Sequence, residues 1–357
     1  MNTWAAVTPV APTAVFRADA DLSIGGGHVM RCLTLADELA RHGWRCTFAA
    51  SEDSIRVLPA LERSPHSVVT LPTQRTDQLA LMTSVWSQSV ELLVFDHYGL
   101  DAEYERVCRR WAQQILVVDD LANRAHDADV LLDQGLGRDP GDYCGLVADE
   151  CTMLCGSAYI LLKSQFYDSR ASALERRKNA TKVERILIAF GSVDTDNATM
   201  LSLKALQATD LDCAVDVVLG AQAPHREQVR QFLSELNGQG RLHVDVRDMS
   251  ALMVDADIGI AGAGGTVWEF CGLGLPTLVI TLAANQQPNA AALRKSGAAR
   301  VLGSLANLDL GSVTIALREM VANAAERGRL SDKAASICDC QGAERVADIL
   351  QSRLSRQ

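Results

Sequence analysis

The chain has 357 residues, which is long for a single hydrophobic core and predicts two domains. Its 48% hydrophobic and 22% charged residues are typical of a soluble globular enzyme, and no apolar run approaches the roughly 18 residues that cross a bilayer. The net charge is −10 and the lysines and arginines are scattered, whereas proteins that bind nucleic acid normally carry a basic stripe. We therefore expect neither a membrane nor a nucleic acid as partner.

The N-terminal residues and the cysteines give expectations about the cellular compartment of the protein. Residues 1–12 lack the positively charged start and long apolar stretch of a signal peptide, so we interpret them as an N-terminal extension. The ten cysteines lie mostly in apolar segments without Cys-x-x-Cys spacing, which favours small buried side chains over metal ligands. Free cysteines are typical of a reducing compartment, and we expect a cytoplasmic protein.

The first half of the chain alternates short apolar runs with helical patterns. Runs of valine, leucine and isoleucine between helices predict a parallel sheet covered on both faces, which binds its ligand at the carboxyl ends of the strands. We predict an α/β domain over residues 13–165. Its predicted strands are 13–17, 45–50, 92–96, 115–119 and 130–133.

A histidine follows three glycines between the first predicted strand and a predicted helix over 28–41. The turn reads Gly25-Gly26-Gly27-His28. Such a turn exposes backbone N–H groups and the positive end of a helix dipole to a ligand, and an imidazole there can take a proton from water. The local pattern alone also fits a flexible turn with a solvated histidine, because it lacks the full Gly-x-Gly-x-x-Gly fingerprint of dinucleotide sites.

Polar residues follow two further predicted strands. Asp96-His97-Tyr98 brings three hydrogen-bonding side chains to one strand end, and Asp119-Asp120 follows the next strand. Such positions suit a ligand site in a parallel sheet. Aspartates there also form turns or cap the next helix, and for the second pair we favour that simpler interpretation.

The pattern of strands and helices begins again in the second half. Residues 166–183 are polar and basic without a strand-like run, and we interpret them as the connection between domains. A second α/β domain is predicted over 184–357, with an amphipathic last helix over 343–354. Its predicted strands are 185–190, 215–219, 242–246, 258–261 and 277–281.

Two glycine turns in this domain lie between a strand and a helix. One is Gly191-Ser192 and the other contains Gly264-Gly265-Thr266. Both can present N–H groups to a phosphate, although either could serve only to reverse the chain.

Three polar residues lie near the second of these turns. Glu269 follows Thr266 by three positions, so it could close a capping box or accept hydrogen bonds from two ribose hydroxyls. Asn285 and Gln286 lie in a loop after a predicted strand, where amides suit a hydroxyl- or amide-bearing ligand or are merely solvated.

These motifs together resemble the nucleotide-sugar hydrolases of pseudaminic acid biosynthesis, in a wider group that includes spore-coat polysaccharide proteins. The resemblance covers most of residues 13–300. Its specific parts are Arg17-x-Asp19, Gly25-x-Gly27-His28 with Arg31, Asp96-His97-Tyr98-Gly99, Asp119-Asp120, Asp142-Tyr143-x-Gly145-Leu146-Val147, Cys155-Gly156-x-x-Tyr159, the stretch from Ala261 to Glu269, and Asn285-Gln286.

The resemblance implies a GT-B architecture, in which two Rossmann-like domains face each other across a cleft. It further implies that water cleaves the C1–O bond of a UDP-linked diacetamido-trideoxy sugar with inversion. The catalytic residues implied are His28 as the base, Tyr98 near the reacting sugar, and Asp96. The implied substrate-binding residues are Arg17, Asp19, Gly25, Gly26, Gly27, Arg31, Gly191, Ser192, Gly264, Gly265, Thr266, Glu269 at the ribose, Asn285 and Gln286.

One departure concerns the first turn of the second domain. Members of this family often have Gly-Gly-(Ser/Thr)-Asp there, whereas this chain has Gly191-Ser192-Val193-Asp194. Losing a glycine restricts close approach of the backbone, which bears on the diphosphate contacts.

Two other functions compete with hydrolysis. A GT-B glycosyltransferase would use the same base on an acceptor hydroxyl. An NAD-dependent dehydrogenase or a non-catalytic nucleotide-binding module is less favoured, because neither turn completes the dinucleotide fingerprint. UDP is a good leaving group, so one positioned base suffices, and we expect no metal, no cofactor and a monomer that binds a small UDP-sugar.

Overall fold

The computed structural model describes residues 11–21, 25–209, 211–236 and 239–355. Most of the predicted extension over 1–12 lies outside the described residues. The described chain forms two parallel sheets, each with helices on both faces. Two Rossmann-like α/β domains were predicted, and this fold class is confirmed.

The first sheet has seven strands in the order β3-β2-β1-β4-β5-β6-β7, all paired in parallel. Its strands are β1 Thr13–Ala18, β2 Arg45–Ser51, β3 Ser67–Leu71, β4 Val90–Asp96, β5 Ala112–Val118, β6 Val130–Asp133 and β7 Thr152–Cys155. The helices along this part of the chain are α1 Gly27–Arg41, α2 Glu52–Val57, α3 Pro59–Glu62, α4 Arg75–Val85, α5 Ala102–Cys108 and α6 Ser164–Asn179.

The second sheet has six strands in the order β10-β9-β8-β11-β12-β13, also parallel. Its strands are β8 Arg185–Ala189, β9 Ala214–Leu219, β10 Gly240–Val244, β11 Ile258–Ala261, β12 Thr277–Thr281 and β13 Arg300–Ser304. The remaining helices are α7 Ala198–Gln207, α8 Arg226–Ser234, α9 Met249–Asp255, α10 Gly265–Gly272, α11 Gln287–Ser296, α12 Leu310–Ala322, α13 Ala324–Ile337 and α14 Gly342–Leu354.

The central strands are buried on both faces, as continuous apolar runs require in a parallel sheet. In β4, Leu93 packs into the core on one face of the first sheet, and Leu92 and Val94 pack into the core on the other. The second sheet likewise separates two apolar clusters. Because both sheets are fixed by such cores, the loops at their carboxyl ends are held on rigid supports.

The segment interpreted as the connection, 166–183, is mostly helical. Helix α6 buries Phe166 and Ala173, and the Arg177 guanidinium donates to the carbonyl oxygens of Met253 and Ala256 at the end of α9. A buried arginine that satisfies main-chain acceptors is one way for a polar helix to dock. The helix therefore packs on the second domain.

The last helix, α14, returns to the first domain. Val346 and Leu350 join the apolar cluster under α1. Trp44 Nε1 donates to Gln351 Oε1 at 2.6 Å, and Arg353 donates to Thr152 of β7 at 2.8 Å. The chain thus crosses between the domains twice, once before α6 and once before α14.

Candidate active site between the two domains

His28 is the second residue of α1 and is 7% exposed. Its Nδ1 is enclosed without a hydrogen-bond partner and lies 3.8 Å from Asp96 Oδ1. Burial lowers the pKa of His28, although the charge of Asp96 opposes that effect. The ring is therefore neutral near pH 7 and has a nitrogen lone pair with which to accept a proton.

Asp96 ends β4 and is held by Arg31 from α1. The guanidinium donates from Nε to Oδ2 at 2.5 Å and from Nη2 to Oδ1 at 2.7 Å. Its Nη1 reaches Asp120 Oδ2 at 3.1 Å. Despite complete burial, the charge of Arg31 keeps the pKa of Asp96 below its usual range. Arg31, implied to bind substrate, is thus already engaged by two carboxylates, and Asp120, for which a turn or cap was the favoured interpretation, lies beside Asp96 through this shared arginine.

Tyr98 connects this cluster to the second domain. Its ring packs edge-on against His28, with the ring centroids 4.5 Å apart and the planes at 86°. Asn285 Nδ2 donates to the Tyr98 hydroxyl at 3.3 Å. Burial and the charge of Asp120 raise the pKa of Tyr98 to about 12, so the phenol stays protonated at neutral pH. The predicted residues His28, Tyr98 and Asn285 are therefore brought together.

Arg17 and Asp19 form a support behind the glycine turn. Arg17 is 2% exposed and its guanidinium lies 2.8 Å from Asp19 Oδ2. Asp19 Oδ1 accepts from the Ser51 amide at 2.8 Å, and His97 Nε2 lies 3.4 Å from Oδ2. Arg17 was expected to bind substrate, but in this structure it is enclosed and its charge is paired with the Asp19 carboxylate.

The glycine turn of the first domain closely approaches the second domain. Gly25 has a φ of +73°, which favours glycine. A Cβ placed on Gly26 would lie 3.1 Å from Leu58 and 3.4 Å from Ser192 Oγ. Gly26 is the N-cap residue of α1 and provides no side-chain cap to that helix.

The first turn of the second domain differs from expectation. The helix behind Gly191-Ser192 is capped by its own chain, because the Asp194 carboxylate accepts from the amides of Ala198 and Thr199, both at 3.0 Å. Asn197 accepts from a third amide of α7. These groups are therefore not available to a phosphate, and an anion would meet only the turn itself.

The second turn has the opposite arrangement. Helix α10 begins at Gly265, its N-cap residue Gly264 provides no side-chain cap, and a Cβ on Gly265 would have no neighbour within 4 Å. Asn289 Nδ2 donates to the carbonyl of Ala263 at 3.2 Å and pins the turn. Gln286 lies close to Gly264, and its Oε1 accepts a hydrogen bond from the Leu282 amide at 3.0 Å, which accounts for its orientation. The uncapped N–H groups at the start of α10 have the geometry and the positive dipole end that favour an anion.

Glu269 lies in α10 and is partly buried. The capping box with Thr266 is not formed, because Gly264 and not Thr266 is the N-cap residue of the helix. Burial raises the pKa of Glu269 to about 8, and the charge of Lys163 only partly opposes this. In the described part of the chain no side chain hydrogen-bonds to its carboxyl group, which leaves both oxygens for hydroxyls of a ligand.

The described residues also bear on metal binding and on membrane insertion. They contain no group of three or more His, Cys, Asp or Glu side chains placed to hold a metal ion. Within the same ranges, no helix has the length and apolar character needed to span a membrane.

Comparison with known proteins gives relatives over both domains. The profile of the glycosyltransferase family 28 C-terminal domain matches residues 185–351. The UDP-2,4-diacetamido-2,4,6-trideoxy-β-L-altropyranose hydrolase of Campylobacter jejuni is 26% identical over 284 residues, covering 79% of this chain and 96% of that protein. The spore coat polysaccharide biosynthesis protein SpsG of Bacillus subtilis is 26% identical over 291 residues, covering 80% and 82%.

Solved structures show the same fold at lower identity. MurG from Acinetobacter baumannii superimposes with a TM-score of 0.67 at 17% identity, over 96% of this chain and 100% of that one. The calicheamicin glycosyltransferase CalG4 gives a TM-score of 0.60 at 15% identity, over 97% and 99%. The resemblance indicated by the motifs is confirmed: the chain has a GT-B-type fold and is similar to the UDP-2,4-diacetamido-2,4,6-trideoxy-β-L-altropyranose hydrolase, and its second domain matches the C-terminal domain of glycosyltransferase family 28.

Proposed function

We propose that this protein hydrolyses a UDP-linked diacetamido-trideoxy sugar to UDP and the free sugar, as a step in pseudaminic acid biosynthesis. The observation that carries the proposal is a continuous set of contacts from a neutral histidine to an open helix N-terminus. His28 packs on Tyr98, Tyr98 contacts Asn285, and the neighbouring Gln286 lies beside Gly264 at the start of α10. A base and an anion site thus face the same cleft. The Campylobacter jejuni relative is named for this reaction.

In the proposed reaction, His28 accepts a proton from water as the water oxygen bonds to C1 of the sugar. The C1–O bond breaks and its electron pair leaves with the diphosphate of UDP. Attack opposite the leaving group inverts the configuration at C1. The enclosed Nδ1 faces Asp96, so Nε2 is the nitrogen we assign to the water. Asp96 stabilises the imidazolium that forms, and a base placed in this way contributes about 10²- to 10⁴-fold to the rate.

The leaving group is assigned to the second domain. The uncapped N–H groups at Gly265 and Thr266 would bind the diphosphate, and the dipole of α10 would stabilise the charge that develops on it. Glu269, one turn further along α10, would bind the ribose hydroxyls. Since these donors are fixed before the reaction, little reorganisation is needed when the bond breaks.

The experiment that tests the reaction uses water labelled with heavy oxygen. The protein is incubated with UDP-2,4-diacetamido-2,4,6-trideoxy-β-L-altropyranose, and separately with UDP-GlcNAc, each with and without EDTA. Label in the free sugar supports hydrolysis at C1, and label in UDP would mean attack at phosphorus and would overturn the proposal. Retention of activity in EDTA supports a metal-independent reaction, whereas loss of activity that added metal restores would refute that part.

A glycosyltransferase is the second candidate. The family 28 profile over residues 185–351 and the fold shared with MurG favour it. In that case the His28 base would deprotonate an acceptor hydroxyl, and release of UDP without an acceptor would be slow. Rapid UDP release in buffer alone, with one free sugar formed per UDP, distinguishes hydrolysis from transfer.

A further inference from the structure

Asp120 is a partly buried carboxylate that belongs to the Asp119-Asp120 strand-end motif but has no part in the proposed reaction. It lies directly after Asp119 beyond the end of β5, and its Oδ2 accepts from Arg31 Nη1 at 3.1 Å. Its Oδ1 is enclosed by protein and is left without a hydrogen-bond donor there. A buried carboxylate oxygen without a donor is costly, so a donor within reach is expected to turn toward it.

The Tyr98 hydroxyl is the donor in reach. Asp120 is close enough to the phenol to raise its pKa both through its charge and as a hydrogen-bond partner. The phenol oxygen already accepts from Asn285 Nδ2 at 3.3 Å. Because an amide N–H donates to that oxygen, the phenolic proton itself remains to be donated elsewhere.

We infer that Asp120 is a positioning residue that accepts a hydrogen bond from the Tyr98 hydroxyl and so orients the lone pair of that hydroxyl toward Asn285. This arrangement forms a latch that holds the second domain against the His28 site. The resulting series of hydrogen bonds runs from the Asn285 amide to the Tyr98 hydroxyl and on to the Asp120 carboxylate. Asp120 itself is anchored from the other side by Arg31, which also holds Asp96. Tyr98 therefore takes part in both the contact between the domains, through its hydroxyl, and the packing on His28, through its ring.

A carboxylate at position 120 selects one orientation of the Tyr98 hydroxyl. With a carboxylate as acceptor, the hydroxyl can only present its lone pair to Asn285. An amide at position 120 could instead donate its own N–H to the phenol oxygen and compete with Asn285. Asp120→Asn therefore keeps the size of the side chain while weakening the contact between the domains.

The effect on catalysis rests on the proposed function, but two readouts do not. The first is an ultraviolet titration of the tyrosine phenols, with the Tyr98→Phe protein subtracted to isolate Tyr98. Asp120 and Arg31 act on this phenol through their charges, His28 packs on its ring, and Asp120 is the acidic group among these three. Asp120→Asn is expected to lower the pKa of Tyr98 from about 12 toward its ordinary value. An unchanged Tyr98 titration would overturn the inference.

The second readout is hydrogen exchange of the loop that carries Asn285. We expect the amides of residues 282–289 to exchange about tenfold faster in Asp120→Asn than in the native protein, and equally fast in Tyr98→Phe, which keeps the ring and removes only the hydroxyl. Asp53→Asn, at an exposed carboxylate of α2 paired with Arg56, is the matched control and should leave this loop unchanged. Loop exchange equal to that of the native protein in both test variants would refute the latch.

A double-mutant cycle connects the latch to turnover. Asp120→Asn and Tyr98→Phe are each expected to lower kcat/KM for the UDP-sugar about tenfold, and the double variant should be no slower than either one. Additive losses would show that Asp120 acts through Arg31 instead, and would contradict the inference. If the protein has no such hydrolase activity, the titration and exchange results still decide the role of Asp120.

Discussion

His28 Nδ1 and Asp96 Oδ1 lie 3.8 Å apart, which is beyond hydrogen-bond distance, while both oxygens of Asp96 are held by Arg31. Asp96 therefore acts on the imidazole through its charge and not as a hydrogen-bond acceptor in this conformation. Burial favours the neutral ring, and the carboxylate favours the protonated one. The two effects prepare a base that is unprotonated at rest and stabilised once it has taken a proton.

The pH dependence of turnover follows from this balance. Burial lowers the pKa of His28 below 6.5, so kcat/KM should rise with pH through a value below about 6.5 and be level near neutrality. In Asp96→Asn the opposing charge is removed, the pKa falls further, and the acid limb moves to lower pH as the plateau falls about tenfold or more. His42→Gln, at the far end of α1, should leave the limb in place. A limb that moves upward in Asp96→Asn would contradict this account.

Stability should also depend on Asp96. Removing its charge leaves the buried guanidinium of Arg31 with Asp120 as its remaining carboxylate, and breaking a buried pair costs about 3 kcal/mol. Asp53→Asn breaks only the exposed pair with Arg56 and should cost less than about 1 kcal/mol. Urea unfolding of the two variants measures the difference, and equal midpoints would show that the pair contributes little.

The central strands could be predicted from the sequence because they are continuous buried apolar runs. The strands missed were Ser67–Leu71, Thr152–Cys155 and Arg300–Ser304. All three are only partly buried and lie at the outer edges of their sheets, so polar residues interrupt the pattern. The helical nature of residues 164–179 was equally hidden, since Arg177 docks through main-chain carbonyls of α9 that only the tertiary structure supplies.

Binding of the diphosphate at α10 is tested by placing a charge at the first residue of that helix. Gly265→Asp puts a carboxylate where a Cβ has no neighbour within 4 Å. A negative charge at a helix N-terminus stabilises the helix by about 0.3 to 1 kcal/mol, yet it should repel the diphosphate and weaken UDP binding at least tenfold, or about 1.4 kcal/mol. Gly265→Asn is the uncharged control, expected within about threefold of native affinity by calorimetry. Equal affinities for the two variants would place the diphosphate elsewhere.

Glu269 should make stability and ribose recognition depend on the same carboxyl group. Its pKa is raised from 4.5 to about 8 in the folded chain, so the folded state binds the proton more tightly and loses stability as pH rises toward and through about 8. Glutamine does not titrate, so the Tm of Glu269→Gln relative to the native protein should be higher at about pH 9 than at about pH 6. The reverse trend would mean that the carboxyl is not buried as described.

The ribose assignment is checked with the same variant and two ligands. The native protein should bind UDP more tightly than 2′-deoxy-UDP, and Glu269→Gln should reduce that preference, because the carboxyl oxygens have no side-chain partner in the described residues and are free for hydroxyls. An unchanged preference in the variant would assign the ribose to another group.

Like the fold, the candidate site was only partly predictable from the sequence. His28 and Tyr98 were predictable because glycine turns and strand ends mark where ligands reach a parallel sheet. Whether a turn is open could not be predicted: Asp194 fills the N-terminus of α7, while α10 has no such cap. The engagement of Arg17 by Asp19 likewise depends on which carboxylates the folded chain brings to it.

The most direct measurement compares His28→Gln with the native protein in two assays. One is the rate of UDP release from UDP-2,4-diacetamido-2,4,6-trideoxy-β-L-altropyranose, and the other is the Kd for UDP. Loss of the base should lower kcat at least a hundredfold, while the Kd should stay within about threefold because UDP binding is assigned in our proposal to the second domain. A variant that releases UDP within about tenfold of the native rate would contradict the assignment of His28 as the general base.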